Sequence, residues 1–450
     1  TLTAEPTDYA KDLQIDENGK LSGESDFDED TAEDYLSSDS EVEQKIKITK
    51  TILVDDSNYT KLGKDGSNTY VYTGSLDDDA EDNGSAIKVN GFEVKYDEGV
   101  FGTGAVVAVD DKANVEKISG AIQKVTIDGD ASVDEIAPDV DDNNIYATID
   151  VSEAKVGDID FDDDAQGTVT TDSYESTVGN IVDAATVTVN NGTVGDIDAS
   201  DSVDIKADDD DHSVTVGNVE TKELTIDSED SQGIKTGTLK ASDGDGTFTL
   251  TGSAVTVGGI DFDNYDTELE FDDFQGSIPA PQNATDDDAT VSTTNADDKV
   301  TVKGDADIGN ISIEEDSQIT FDGALNVGNV DGSGKLVVAP GKLNVTSDAS
   351  DVQLVLSGSF KAGDVAYTAA HDTIDEDSFD NYGFTVTKTE GSSTDTFKVE
   401  SLEFTGLTIA PATAEIAKGY SQTFTASAYA PGSAIPEGYK AQFFFDGDDS

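Results

Sequence analysis

The chain has 450 residues and carries 97 acidic against 26 basic side chains, a formal net charge of −71. The acids divide into 70 Asp and 27 Glu, every basic residue is Lys, and Arg, Cys, Met and Trp are absent. Such a surface repels phosphate backbones and anionic headgroups, which excludes nucleic-acid and membrane-surface binding. The lack of Cys excludes disulfides, thiol catalysis and thiolate-bound metals.

The chain opens on Thr1 rather than Met, as expected after removal of a leader segment. Loss of the oxidation-prone sulfur residues fits an abundant exported protein. Residues 1–44 are densely acidic with few apolar side chains, an extended segment unless cations neutralise it. From Lys45, apolar stretches at 45–54, 69–74, 86–96 and 105–109 alternate with Asp/Gly/Asn clusters and read as a small β domain over 45–113. The longest apolar run, 100–109, is too short and too interrupted to span a bilayer, so no membrane insertion is expected.

Residues 114–383 hold an internal repeat. The tetrapeptide apolar-Gly-x-apolar recurs at 156–159, 178–181, 194–197, 216–219, 236–239 and 257–260, and again at 308–311, 327–330 and 362–365. The first six glycines, 157, 179, 195, 217, 237 and 258, are 22, 16, 22, 20 and 21 residues apart. An alternating segment such as TVTV (186–189) or ELTID (223–227) follows most of them. Each repeat of about 20 residues thus offers two short strands and an acidic turn, one rung of a β-solenoid. A single rung cannot bury its apolar face alone, whereas stacking at ~4.8 Å aligns Val, Ile and Leu in columns. The glycine would serve a positive φ or a close backbone approach, and Gly157, Gly179, Gly195, Gly217 and Gly258 should stack. The alternative is an irregular array of β-sandwiches. Residues 276–296, with two Pro and a polar run, read as an inserted loop, and 384–405 as a β-hairpin connector around Gly391. The fold class is therefore all-β, multi-domain and elongated.

From Leu407 the spacing Leu407-Thr408-Ile409-x-Pro411, Ile416-x-x-Gly419 and Gln422-Thr423-Phe424-Thr425-Ala426 resembles the opening strands of a bacterial Ig-like domain. The segment 406–450 would be an incomplete Ig-like domain, its later strands lying beyond Ser450. With the acidic, sulfur-free, Thr/Ser/Asp-rich composition, the chain resembles a bacterial or archaeal S-layer protein. That resemblance implies an extracellular, cell-surface location, self-association into a lattice, and attachment to the cell envelope or a cell-wall polymer.

Catalytic chemistry has little to work with. His212 and His371, in DDDDHS and AAHD, read as solvated loop residues without partners, and no phosphate-binding loop or nucleophile elbow occurs. Cation binding is better supported, because Ca²⁺ accepts irregular sets of carboxylate and carbonyl oxygens. The candidate metal ligands are Asp26, Asp28 and Asp30; Asp77, Asp78 and Asp79; Asp160, Asp162, Asp163 and Asp164; Asp208, Asp209, Asp210 and Asp211; Asp243 and Asp245; and Asp286, Asp287 and Asp288. Two further pairs or triplets, Asp139/Asp141/Asp142 and Asp261/Asp263, have the same character. Against this stands the ordinary use of Asp in tight turns. Six N-x-[ST] sequons fall at Asn58, Asn83, Asn191, Asn283, Asn310 and Asn344. The expected function is non-catalytic and structural, an S-layer-type lattice bridged by Ca²⁺. The alternative is an adhesin or surface filament subunit that binds a polysaccharide or a neighbouring cell. A polysaccharide-active enzyme comes third.

Overall fold

A computed structural model describes residues 114–402 except 116, 121, 139–145, 162–165, 208–211, 229–232 and 243–245, together with Val109 and seven strands outside that stretch, named below. Every regular element among the described residues is a β-strand, and the repeat folds as a β-solenoid. The chain divides into two compact units, residues 1–242 and 243–450.

In the first unit each rung pairs in parallel with the next, in register. Val133, Val156, Val178, Val194 and Val216 form one column. Ile136, Ile159, Ile181, Ile197, Val219 and Leu239 form a second, and Val125, Ile149, Val169, Val187, Val203 and Leu224 a third. None of these side chains is more than 4% exposed. Full burial of one such side chain is worth roughly 1.5–3 kcal/mol, so every added rung stabilises its neighbours. The bend after the second column absorbs a single residue, where the register shifts around Ala184 and between Ala199 and Ser202, whereas the offset between rungs rises from 16 at Val189↔Ile205 to 22 at Thr193↔Thr215. Ala184, Ala199, Thr221 and Ala241 stack there, all buried, because only small side chains fit inside the bend.

Of the expected small β domain 45–113 the structure describes strands Ile52–Val54, Glu93–Tyr96 and Ala105–Val109. They pair in parallel with one another or with the rungs that follow (Ile52↔Val94, Glu93↔Lys117, Ala105↔Ile122). Alternation marks a half-buried strand but says nothing of its partner, and here the partner is the next rung rather than a hairpin mate. In the acidic N-terminal segment, Gln14–Ile15 pairs antiparallel with Leu21–Ser22.

The second unit builds its rungs from two parallel series. One runs Gln275–Pro279, Lys299–Lys303, Gln318–Phe321, Lys335–Val338, Gln353–Leu356 and Asp380–Asn381. The other runs Thr247–Thr251, Glu268–Asp272, Thr290–Thr293, Ala306–Ile313, Leu325–Gly332, Leu343–Ala349 and Val365–Ala370. The expected inserted loop 276–296 therefore contributes Gln275–Pro279 and Thr290–Thr293 to regular rungs. Pro279 is compatible with this because its strand stands at the edge of its series. Phe384–Thr389 and Thr394–Leu402 form the expected hairpin, whose second strand also pairs antiparallel with Val365–Ala370. Tyr367 stacks on Phe397 with ring centroids 4.5 Å apart and meets Phe379 edge-on at 5.2 Å. Leu407–Ala410 pairs antiparallel with Thr425–Ala428. Two strands are too few to define an Ig-like sandwich.

Candidate cation site and the stacked corners

The repeat motif is the corner of the solenoid. In the first unit Gly179, Gly195, Gly217 and Gly237 each donate a backbone hydrogen bond to the glycine one rung earlier, at 2.8–3.0 Å. A Cβ on Gly195 would lie 2.8 Å from the carbonyl carbon and oxygen of Gly179. Close approach, not positive φ, is what demands glycine, since none of Gly157, Gly179, Gly195, Gly217 and Gly237 has positive φ. Gly258, expected in the same column, lies on Val255–Asp261 of the second unit. The residue after each glycine completes the corner. Asn180 N–H donates to Asp158 Oδ1 at 2.8 Å, Asp196 N–H to Asn180 Oδ1 at 3.0 Å, Asn218 N–H to Asp196 Oδ1 at 2.7 Å, and Thr238 N–H to Asn218 Oδ1 at 2.9 Å. A column of Asx side chains thus satisfies backbone donors that the bend withdraws from the strand ladder. Asp and Asn alternate along it, so no two carboxylates are direct neighbours.

Among the candidate ligands the structure brings Asp286 and Asp288 together, and adds Asp266. One carboxylate oxygen from each lies within 4.8 Å of the others. Oxygens that share a Ca²⁺ at roughly 2.4 Å can be up to ~4.8 Å apart, so the spacing suits one ion. The turn is prearranged: Asp288 N–H donates to Asp286 Oδ1 at 3.1 Å, and the Thr290 hydroxyl to the Asp288 carbonyl at 3.0 Å. Asp287 is exposed and outside the trio, and its carbonyl oxygen accepts from Asn310 Nδ2. Asp266 was missed because it stands alone in sequence. The signal that finds it is register: Glu268↔Thr290, extended back two residues, sets Asp266 opposite Asp288.

The remaining candidates fare differently. Asp160 is exposed at the end of Lys155–Asp160 and joins no such trio among the described residues. Asp261 serves its own turn, its Oδ1 accepting from Asp263 N–H at 2.9 Å and Asn283 Nδ2 at 2.8 Å. Asp26, Asp28, Asp30, Asp77, Asp78, Asp79, Asp139, Asp141, Asp142, Asp162, Asp163, Asp164, Asp208, Asp209, Asp210, Asp211, Asp243 and Asp245 lie outside the described residues. At the sequons Asn283, Asn310 and Asn344, the Nδ2 that would carry a glycan donates a hydrogen bond.

Neither histidine is a bare loop residue. The His212 ring stacks on Tyr174 at 3.9 Å. His371 Nδ1 lies 3.0 Å from Oδ1 of the fully buried Asp395. That carboxylate also accepts from Gly391 N–H at 3.0 Å, Asp372 N–H at 3.1 Å and Lys388 Nζ at 3.1 Å. The His371 bond and the backbone donors hold Asp395 well below the usual carboxylate range, and the same bond raises His371. Asp372 completes a second possible ligand trio with His371 and Asp395. With Lys388 already on Asp395, that cluster is a hydrogen-bonded tie between hairpin and solenoid rather than a cation site.

The chain matches no protein-family model, no curated protein and no solved structure.

Proposed function

We propose that the chain is a non-catalytic structural protein of the cell surface. Copies of it associate into an S-layer-type lattice attached to the cell envelope, and Ca²⁺ neutralises and bridges acidic groups. The observation that supports this best is what the repeat does. Its glycines and Asx residues are consumed in stacking one rung on the next, so the repeated chemistry serves an extended scaffold. The resemblance to S-layer proteins and the net charge of −71 supply the setting, since clustered carboxylates oppose association until multivalent cations join them. The Asp266/Asp286/Asp288 trio is the described place where an ion would bind within one chain.

Negative-stain microscopy of the purified chain with millimolar Ca²⁺ and with chelator tests the reading. Ordered sheets are expected with Ca²⁺ and dispersal with chelator, while Na⁺ substitutes poorly because screening bridges nothing. Ca²⁺ held within the chain also stabilises it by about 2.7 kcal/mol at a hundredfold excess over its dissociation constant, and so raises the melting temperature. Asp266→Asn with Asp288→Asn should remove that rise. Identical assembly and melting in both media would falsify the calcium-bridged lattice. A second reading, a surface adhesin for a polysaccharide, draws on a polar cleft in the second unit.

A further inference from the structure

One outward position in the second unit repeats a polar group on four successive rungs. Register sets Asp307 beside Asn326, Asn326 beside Asn344, and Asn344 beside Thr368. Asn326 Nδ2 donates to Asp307 Oδ1 at 2.7 Å, Asn344 Nδ2 to Asn326 Oδ1 at 2.6 Å, and the Thr368 hydroxyl to Asn344 Oδ1 at 2.9 Å. A primary amide has two N–H donors and two acceptor lone pairs, and these bonds use one of each. Asn326 and Asn344 therefore each retain a donor and an acceptor beyond the ladder. All four residues line an open cleft of about 520 Å³, with Asn264 and Lys342 also on its wall. Ala306, Leu325 and Leu343 on the lining are at most 7% exposed while Ala324 is half-buried, so the cleft sets its polar groups beside some apolar surface.

We propose that this cleft binds an uncharged polysaccharide lying along the stacking direction. A sugar hydroxyl both donates and accepts, which is the pairing each amide rung leaves open. The rungs recur every ~4.8 Å, close to the advance of one residue in an extended glycan, so successive sugars meet successive rungs. The ladder fixes the amides before binding, which lowers the ordering cost. Asp305 and Asp307 outnumber Lys342 on the wall, and the chain as a whole is strongly negative, so an anionic polymer is repelled. An extended peptide would need a free sheet edge or apolar side-chain pockets, and the lining offers neither. No aromatic ring lines the cleft, so single-site affinity is weak and repetition across a lattice supplies avidity. This deepens the surface reading by naming a polymer class, and rests on that reading for the lattice avidity and for the place where the polymer is met.

Calorimetric titration of the full chain in chelator, where no lattice forms, tests it with neutral hexasaccharides of glucose, N-acetylglucosamine and mannose, and with hexagalacturonate. At least one neutral oligomer should bind about tenfold more tightly than hexagalacturonate, and Asn326→Ala with Asn344→Ala should weaken it by about tenfold. Hydrogen exchange of the unmodified chain should slow in segments 305–307, 324–326 and 341–344 on saturation, a readout independent of whether the double variant folds. Absence of neutral binding at millimolar ligand, preference for the anionic oligomer, or protection elsewhere overturns the proposal. Sheets that still form with Ca²⁺ while the cleft binds nothing would leave the lattice standing and remove only the glycan.

Discussion

At Val178, Val194 and Val216 in the first unit the strand stops at the glycine corner, whereas Ala306–Ile313 and Leu325–Gly332 in the second run straight through the same tetrapeptide. The hydrogen bonds show what separates the two. Gly179 N–H reaches both the Val156 and Gly157 carbonyls at 2.9 Å, which turns the chain and leaves the next N–H without a strand partner. The Asx side chain below then accepts it. In the second unit Gly309 N–H bonds the Ala284 carbonyl at 2.7 Å, and Asn310 N–H reaches the Ala289 carbonyl at 2.8 Å. The Asn310 side chain bonds elsewhere: its Nδ2 donates to the Asp287 and Ala289 carbonyls, and its Oδ1 accepts from Asn329 Nδ2 at 2.8 Å. One motif therefore caps backbone donors in the first unit and pairs side-chain amides in the second.

The largest expected effect tests the bent corner. Gly195→Ala drives a Cβ into the Gly179 backbone, where a main chain paired on both sides cannot retreat, and should cost about 3 kcal/mol in chemical denaturation. Gly358→Ala in the second unit is the counterpart. Its Cβ meets nothing within 4 Å, and only the φ of +78° opposes it, so about 1 kcal/mol is expected. Equal losses would mean that the stacked glycine is not the constraint. Smaller effects separate the two polar columns. Asp196→Ala takes the acceptor from the Asn218 N–H and should cost about 1 kcal/mol, softened because the bond is exposed. Asn326→Ala breaks bonds only between side chains that water can serve, and about 0.5 kcal/mol is expected.

The apolar columns and their glycine corner were legible because both depend on residues that recur along one chain. Val, Ile and Gly at intervals near 20 announce stacking whatever the partner rung. Asp266 was not legible, because its partnership with Asp288 exists only once a rung register is known. Residues 276–296 misled because Pro and a polar run ordinarily break strands, yet Pro279 ends one and the polar residues fill the connection. His371 misled for a third reason: its partner is buried Asp395, 24 residues away on the returning hairpin, and no local pattern signals a carboxylate held by four donors.

That hairpin provides the smallest and most specific test, a pH dependence confined to the second unit. His371 is raised, first by its hydrogen bond to Asp395 and further by Asp372 and Glu390 nearby. A raised histidine contributes stability that is complete below its unfolded value near 6.5 and is lost as pH rises through the higher folded value. Asp395 is depressed, first by His371 and then by the Gly391 N–H. Its contribution is present above the ordinary carboxylate value near 3.9 and disappears as pH falls toward the lower folded one. The tie between hairpin and solenoid is therefore strongest between about pH 4 and 6.5. The protection of Phe384–Thr389 and Thr394–Leu402 against hydrogen exchange, relative to the intrinsic rate at each pH, should fall on either side of that window, while the first-unit rungs stay protected. His371→Gln should abolish the alkaline arm and keep most of the acid arm, since Lys388 and two backbone N–H groups still hold Asp395. Protection of the hairpin that does not change from pH 5 to 9 would show that the His371–Asp395 contact contributes nothing to holding it.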